Sequence, residues 1–332
     1  MKRLYNKPET VVPEALEALA LLHPDLVRVN PDPAYVVRAA LLPNQVALVS
    51  GGGSGHEPMH TGFVGEGMLT AACPGEVFTS PTADQVEAAV RASDTGAGAL
   101  LIVKNYSGDV MNFEMAAEML GAAGVATETL LVADDVAVED STFTQGRRGV
   151  GATVLVEKIC GAAAERGDDL ASVARLGYRV CERSRSLGVA LSGGTVPAIG
   201  RPGFELADDE IEFGVGIHGE PGRQRRPMAP VDELVDQALA PILAELPAPD
   251  GSEVLLFANN LGSATGLEMS IIARHATRRL ADAGLTVTRS LVGSYMTSLD
   301  MLGFSLTVLV LDAELTALWD APVHTAALRW GA

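Results

Sequence analysis

Short apolar runs alternate with amphipathic segments through the first half of the chain. The runs at 46–50, 99–103 and 129–135 are mostly apolar and are followed by turn residues, which predicts buried strands. The segments at 80–93 and 109–124 have helix start and stop signals at their ends and predict helices. Strands that alternate with helices form βαβ units. We therefore predict an α/β fold whose N-terminal part has a largely parallel sheet flanked by helices.

The second half continues the alternation after a glycine- and proline-rich stretch at 187–203. We expect a domain boundary there, between an N-terminal α/β domain over 1–190 and a smaller C-terminal α/β domain over 191–332. The further predicted helices are 151–167, 169–186, about 231–246 and about 266–283, and the further predicted strands are 210–218, 253–260, 285–293 and 304–311.

Composition excludes several classes of protein. A net charge of −18 repels a phosphate backbone, and aromatic residues at 5% leave few side chains for base stacking, so we expect no nucleic-acid binding. No apolar run approaches the roughly 18 residues of a membrane-spanning helix, and the N-terminal MKRLYNKPET lacks the apolar core of a signal peptide. Cys73, Cys160 and Cys181 have no metal-ligand spacing and predict buried thiols. We expect a cytoplasmic protein that does not act at a membrane.

Three motifs directly follow predicted strands. GGGSGHEP follows the strand at 46–50, KNYSGDVMNF follows 99–103, and GIHGEPG follows 211–217. Ligands of open α/β sheets bind outside the carboxyl ends of the strands. The motifs therefore make His56, Asp109 and His218 candidate functional residues.

The first motif is predicted to be a glycine-rich turn, in which Gly51, Gly52, Gly53 and Gly55 allow positive φ angles and close backbone approach. Their amides can bind an anion or a hydroxyl group. No Lys-Ser or Lys-Thr follows, so the motif is not a Walker A loop, and no acidic residue about 20 positions on supports a dinucleotide site. An ordinary tight turn from strand to helix explains the glycines equally well.

Asp109 and His218 each have a plainer explanation. An aspartate at the start of a helix caps amides and complements the helix dipole, and spacing alone favours this role for Asp109. The same position keeps its carboxylate ionised, as a general base requires. Lys104 either snorkels to solvent or directs its ammonium into the same cleft. His218 lies on a turn between Gly216 and Gly219, stiffened by Pro221, and by spacing alone it is most simply a surface histidine.

Other polar residues lie in plainer contexts. His23, His60, His275 and His324 are predicted to be structural, and no histidine pair has H-E-x-x-H spacing, so we predict no metal site. The Arg147–Arg148 pair is predicted to be solvated charge, with phosphate binding as the alternative.

Taken together, VSGGGSGHEP, CPGEVFTSPT, KNYSGDVMNF, EFGVGIHGEPG, NNLG, TSLDM and WDAPVHTAALRWG form a specific set in a fixed order. The sequence resembles the substrate-binding subunit of dihydroxyacetone kinase (subunit K) over nearly its whole length. The resemblance implies that the glycine motif and His56 hold a three-carbon ketose. It further implies that His218 adds to the ketone carbonyl to form a hemiaminal.

The resemblance also assigns the remaining roles. Asp109 is implied as the general base for the terminal hydroxyl, and His56 as a partner in proton transfer. Substrate contacts are implied for Gly53, Ser54, Gly55 and Lys104, together with His56, Asp109 and His218.

The sequence contains neither a Walker lysine motif nor the protein-kinase motifs, so the phosphoryl donor is expected on another protein. By resemblance, that protein is a nucleotide-binding kinase subunit (subunit L) carrying ADP or ATP with Mg²⁺. This chain is expected to bind no cofactor of its own. A phosphohistidine protein of the phosphotransferase system (subunit M) is implied as the indirect donor, with direct use of ATP as the alternative. A homodimer is also implied.

Two other functions stay open. One is a non-catalytic ketose-binding coactivator, which would keep His218 without the acid–base pair. The presence of both His56 and Asp109 favours the enzyme. The other is a kinase of a related ketose such as erythrulose.

Overall fold

The computed structural model describes residues 2–138, 146–220 and 222–331, so Pro221 of the third motif lies outside the described residues. The helices are α1 (Val11–Leu22), α2 (Ala83–Ser93), α3 (Ser107–Ala122), α4 (Ala152–Arg166), α5 (Leu170–Arg183), α6 (Val231–Glu245), α7 (Gly266–Asp282) and α8 (Ala313–Asp320). The strands are β1 (Val27–Pro31), β2 (Ala34–Arg38), β3 (Ala47–Ser54), β4 (Gly65–Glu66), β5 (Ala71–Val77), β6 (Ala99–Lys104), β7 (Thr127–Val132), β8 (Ser184–Ala190), β9 (Glu210–Phe213), β10 (Gln224–Pro227), β11 (Glu253–Asn260), β12 (Thr286–Gly293), β13 (Gly303–Val310), β14 (Val323–Thr325) and β15 (Arg329–Trp330). The fold is α/β, which confirms the predicted class.

The chain divides into two compact units that are each discontinuous in sequence. Unit 1 comprises Met1–Val132, Thr153–Arg179 and Glu314–Ala332, and unit 2 comprises Ala133–Ala152 and Val180–Ala313. The boundary predicted at 190 falls inside unit 2, at the end of β8. It differs from the observed division because β8 pairs with β13 and so belongs with the strands that follow it.

Unit 1 contains a six-stranded sheet of order β1-β2-β5-β3-β6-β7. Strands β5, β3, β6 and β7 run parallel, as predicted, while β1 and β2 add an antiparallel hairpin. Apolar side chains of β3 and β6 pack against α2 and α3 in one buried cluster that includes Val49, Leu101, Val86 and Phe113. Because β3 and β6 are parallel neighbours, their carboxyl ends lie side by side.

Unit 2 contains a second six-stranded sheet, of order β10-β9-β8-β13-β11-β12. Its pairs are antiparallel except for β11 with β12. Leu234 and Leu239 of α6 and Ile272 and Leu280 of α7 are buried in the core cluster of this sheet. The prediction of a helix over 169–186 is wrong at its end, since Ser184 already belongs to β8.

Two further findings concern the chain's environment. Among the described residues, no helix is both long enough and apolar enough to cross a bilayer. Cys73 and Cys160 are buried free thiols, while Cys181 is partly exposed. The expectation of three buried thiols is therefore wrong for Cys181.

Candidate active site

The glycine run forms the last part of β3 rather than a turn. Gly51 lies opposite Cys73 in the parallel pairing of β3 with β5. Of the four glycines of this motif, Gly55 alone has a positive φ, at +107°. The turn prediction is therefore wrong for 51–53. Glycine is needed there for close packing, because a Cβ on Gly51 would lie 2.6 Å from the carbonyl oxygen of Cys73.

The residues that follow are packed as tightly. A Cβ on Gly53 would lie 2.5 Å from a backbone nitrogen. The Ser54 hydroxyl donates to the Gly75 carbonyl at 2.7 Å, and the Gly55 amide donates to the Glu57 carboxylate at 2.9 Å. The predicted substrate-binding residues 53–55 thus lie in a part of the chain whose backbone has little room to shift.

His56 lies in the turn directly after this segment and is fully buried. Its ring stacks on Phe78, with the centroids 5.1 Å apart and the planes 19° from parallel. Stacking fixes the plane of the imidazole, which a proton-transferring group requires.

Lys104 ends β6 and lies beside the glycine run. Its Nζ donates to the Gly51 carbonyl at 2.8 Å and lies 3.6 Å from Oδ2 of Asp109. Gly52 leaves the space for this ammonium, since a Cβ there would lie 2.4 Å from Nζ. The structure thus confirms that the motifs at the carboxyl ends of β3 and β6 meet.

Asp109 is the third residue of α3, whose N-cap is Tyr106, so the prediction that Asp109 caps this helix is wrong. Its side chain is only 4% exposed, and its Oδ1 has no hydrogen-bond partner among the described residues. A buried carboxylate oxygen beside an ammonium can accept a hydrogen bond, and then a proton, from a ligand hydroxyl.

His60 belongs to the same cluster, which the sequence prediction missed. Its Nε2 lies 2.8 Å from Lys104 Nζ, and its Nδ1 lies 2.5 Å from Oε1 of Glu157 on α4. Burial, followed by the charges of Lys104 and His56, lowers the pKa of His60 well below its usual value. Burial also raises the pKa of Glu157 to about 8, against the opposing effects of Lys104 and Ser50.

His218 lies in unit 2, on the turn after β9, with its side chain 21% exposed. Its amide donates to Oε2 of Glu220 at 2.9 Å, and its Nδ1 lies 3.3 Å from Oε1 of the same carboxylate. Burial opposes ionisation of Glu220, but the hydrogen bond with His218 and the charges of His218 and Arg148 together lower its pKa to about 2. A carboxylate accepting from Nδ1–H leaves the lone pair of the ring on Nε2.

Arg148 supports this turn from within unit 2, so its interpretation as solvated charge is wrong. The side chain is fully buried; its Nε donates to Asp135 at 2.8 Å and its Nη2 to the Gly214 carbonyl at 2.6 Å. A Cβ on Gly216 would lie 2.1 Å from Oε2 of Glu220. Glycine is thus required where the buried carboxylate approaches the backbone. Arg147, by contrast, is half-exposed and pairs with Glu245.

The other histidines lie on different elements. His23 follows α1, and His324 lies in β14. His275 on α7 donates from Nε2 to Oδ1 of Asp236 on α6 at 2.9 Å. Within the described residues, no group of three or more histidine, cysteine, aspartate or glutamate side chains has the arrangement of a metal site.

The chain has relatives among known proteins. The Dak1 domain matches residues 17–327. The dihydroxyacetone-binding subunit DhaK of the PEP-dependent dihydroxyacetone kinase of Escherichia coli (strain K12) is 49% identical, with both chains covered completely. The chain therefore belongs to the Dak1 family. Within it, the chain is similar to DhaK dihydroxyacetone-binding subunits over nearly its full length.

Solved structures with the same fold include both a kinase and a regulator. The dihydroxyacetone kinase of C. freundii superposes with a TM-score of 0.88 at 38% identity; 98% of this chain is covered, but only 60% of that longer chain. The dihydroxyacetone kinase operon co-activator Dha-DhaQ superposes with a TM-score of 0.89 at 32% identity, covering 95% and 96% of the two chains. Fold alone therefore does not separate these two functions.

Proposed function

We propose that this chain is the dihydroxyacetone-binding subunit of a dihydroxyacetone kinase and catalyses phosphoryl transfer to the bound ketose. The observation that carries the proposal is the buried Lys104–Asp109 pair, whose Asp109 Oδ1 lacks a hydrogen-bond partner among the described residues. A protein that only binds a ketose needs no such base. The 49% identity to a DhaK subunit over the full chain supports the same conclusion.

In this proposal His218 binds the ketose covalently. Nε2 attacks the ketone carbon and the C=O π bond breaks. The ring then loses its Nδ1 proton and the former carbonyl oxygen gains one, with solvent carrying the proton between them, so the ring ends neutral and Glu220, 3.3 Å from Nδ1, stays ionised. The substituted nitrogen then has no proton left to lose, and the adduct stops at the hemiaminal. Glycerol, which has no carbonyl, cannot form this bond.

Asp109 then acts as the general base. It takes the proton of the terminal hydroxyl while that oxygen attacks the phosphorus of the donor, and the donor nucleotide leaves as its diphosphate. Lys104 provides positive charge beside the reacting hydroxyl, and His56 hydrogen-bonds the ketose and assists the proton transfer. Gly53, Ser54 and Gly55 line the ketose. In phosphoryl transfer most of the acceleration comes from position and electrostatics, and a general base adds about 10²–10⁴-fold.

The donor is proposed to come from a separate nucleotide-binding subunit with ADP or ATP and Mg²⁺. The E. coli relative is called PEP-dependent, which supports indirect supply by a phosphohistidine protein of the phosphotransferase system. Product would be dihydroxyacetone phosphate. A homodimer of this chain is part of the same proposal.

The test is transfer to dihydroxyacetone by the purified chain with its nucleotide-binding partner and, separately, ATP or a phosphohistidine donor. We expect turnover with the phosphohistidine donor and a ketose adduct on His218 in the intact-mass spectrum. Turnover with ATP alone would support kinase activity but would contradict the phosphohistidine donor. Adduct formation without turnover in either case would contradict the kinase and favour the ketose-binding coactivator, which the likeness to Dha-DhaQ supports. Faster turnover of erythrulose would change the substrate.

A further inference from the structure

Four ionisable side chains of unit 1 form a buried chain that starts on α4 and ends at the candidate base. The links are Glu157 to His60 at 2.5 Å, His60 to Lys104 at 2.8 Å, and Lys104 to Asp109 at 3.6 Å. All four side chains are at most 4% exposed. Burying charged groups is unfavourable unless they are paired, and apolar side chains would pack such a position at lower free energy. This makes the chain a candidate for a role beyond packing.

The direction of each hydrogen bond follows from the lysine. An ammonium has three N–H donors and no acceptor, so Nε2 of His60 must accept. The neutral imidazole then carries its proton on Nδ1 and donates it to Oε1 of Glu157. The lowered pKa of His60 agrees with a neutral ring. Lys104 and Glu157 therefore favour the same tautomer of His60, and Glu157 stabilises it by accepting from Nδ1–H.

The ammonium is fixed on two sides by these contacts. One N–H donates to the Gly51 carbonyl and one to His60, which leaves the third for the side where Asp109 lies. The missing Cβ of Gly52 provides the space. Without the His60 acceptor, Nζ could turn toward the Asp109 carboxylate and compete with a ligand hydroxyl for it.

We propose that His60 and Glu157 are positioning residues for phosphoryl transfer: through the tautomer of His60, Glu157 aims the third N–H of Lys104 at the reacting hydroxyl and at Asp109. This inference rests on the proposed function. Both ring nitrogens of His60 are engaged, Nε2 by Lys104 and Nδ1 by Glu157, so in this proposal both residues act through Lys104. The orientation of the Lys104 ammonium thus depends on Glu157, which lies 97 residues from His60 in the sequence.

The experiment compares three variants in the full kinase assay and in direct ketose binding. His60→Leu and Glu157→Leu remove the link and should lower kcat/KM by about 10–100-fold, as expected when a substrate-positioning group shifts. Glu157→Gln keeps an acceptor oxygen for Nδ1–H and should restore kcat/KM to within a few-fold of the parent. His275→Leu is the matched control, because His275 also contacts a carboxylate but lies on α7 of unit 2. It should have parental kinetics.

A second readout does not depend on activity. In ¹⁵N-histidine-labelled parent protein, His60 should show the neutral tautomer with its proton on Nδ1, and Glu157→Leu should shift it toward the other tautomer. Parental kcat/KM in folded His60→Leu and Glu157→Leu would overturn the inference, as would an Nε2-protonated or doubly protonated His60 in the parent. Equal losses in Glu157→Gln and Glu157→Leu would overturn the tautomer link. If the parent itself neither binds nor phosphorylates the ketose, the proposed function fails, and the tautomer measurement still decides the geometry.

Discussion

His60 in unit 1 and His218 in unit 2 each lie against a glutamate, but the two pairs differ in burial and in reach. His60 and Glu157 are 4% and 0% exposed and lie 97 residues apart in sequence. His218 is 21% exposed, and its partner Glu220 is two residues further on. In both rings Nδ1 faces the glutamate. Nε2 of His60 accepts from Lys104, whereas Nε2 of His218 is the nitrogen proposed to attack the ketose.

The electrostatic surroundings separate the two glutamates. Burial dominates at Glu157 and raises its pKa to about 8, whereas at Glu220 His218 and Arg148 overcome burial and lower the pKa to about 2. In the proposed mechanism the same pair of residue types thus provides an orienting contact in one unit and an ionised partner for the nucleophile in the other. In both units a glycine leaves space for the charged group, because a Cβ on Gly52 would contact Lys104 and a Cβ on Gly216 would contact Glu220.

The largest effect should come from Asp109→Ala. Removing the general base should lower kcat by about 10²–10⁴-fold. The mass adduct on His218 should remain, because unit 2 carries that chemistry. Asp84→Ala is the matched control, since Asp84 also lies in the first turn of a helix, α2, but is exposed. A near-parental kcat in Asp109→Ala would contradict the proposal that Asp109 is the general base.

Glu220→Gln tests the other half of the comparison. A hydrogen bond to a charged partner contributes about 1.5–3 kcal/mol, so adduct formation on His218 should slow by about 10–100-fold. Time-resolved intact-mass spectra measure this directly. Glu157→Gln should leave the adduct rate unchanged. Equal slowing in both variants would mean that the two glutamates do not have separate roles.

Gly52→Ala tests whether the position of the Lys104 ammonium matters for catalysis. The new Cβ would lie 2.4 Å from Lys104 Nζ, so the lysine must move, and kcat/KM should fall by about tenfold. Overpacking should also lower the free energy of unfolding by about 1–3 kcal/mol. Gly121→Ala on α3 is the control, because nothing lies within 4 Å of its Cβ. It should retain activity and gain up to about 1 kcal/mol. Unchanged kinetics in Gly52→Ala would show that the position of Nζ is not limiting.

The last effect concerns the pH dependence of stability rather than catalysis. The pKa of Glu157 is raised from 4.5 in an unfolded chain to about 8 in the folded protein, so folding favours its protonated form. Unfolding between these values releases a proton, and the stabilisation is lost as pH rises through the window, by at most about 1.4 kcal/mol per pH unit. The melting temperature should therefore fall more between pH 5 and pH 8 in the parent than in Glu157→Gln. Parallel melting curves would contradict this shift.

Local sequence patterns predict most of the strands and helices, and they place one of the two histidine–glutamate pairs within a single motif. The strands β3, β6, β11 and β13 follow from apolar runs, and Glu220 lies within two residues of His218 in one motif. No local signal joins His60 to Glu157, because only the packing of α4 brings them together. Local sequence predicts a turn for the glycines at 51–53, whereas the structure places them in a strand. Glycine is needed there because neighbouring atoms approach closely, which the folded chain alone shows.

The course of the chain through the two units also bears on how the protein is made. Unit 1 includes Glu314–Ala332, where β14 pairs His324 with Glu66 of β4. Its first segment therefore leaves the ribosome long before the strand that completes its small sheet. Contacts between residues so distant in sequence close late and slow folding. Unit 1, with Lys104 and Asp109 already synthesised, cannot be completed until residues 314–332 have been translated. A chain stopped before residue 314 would therefore lack part of the unit that holds the candidate base.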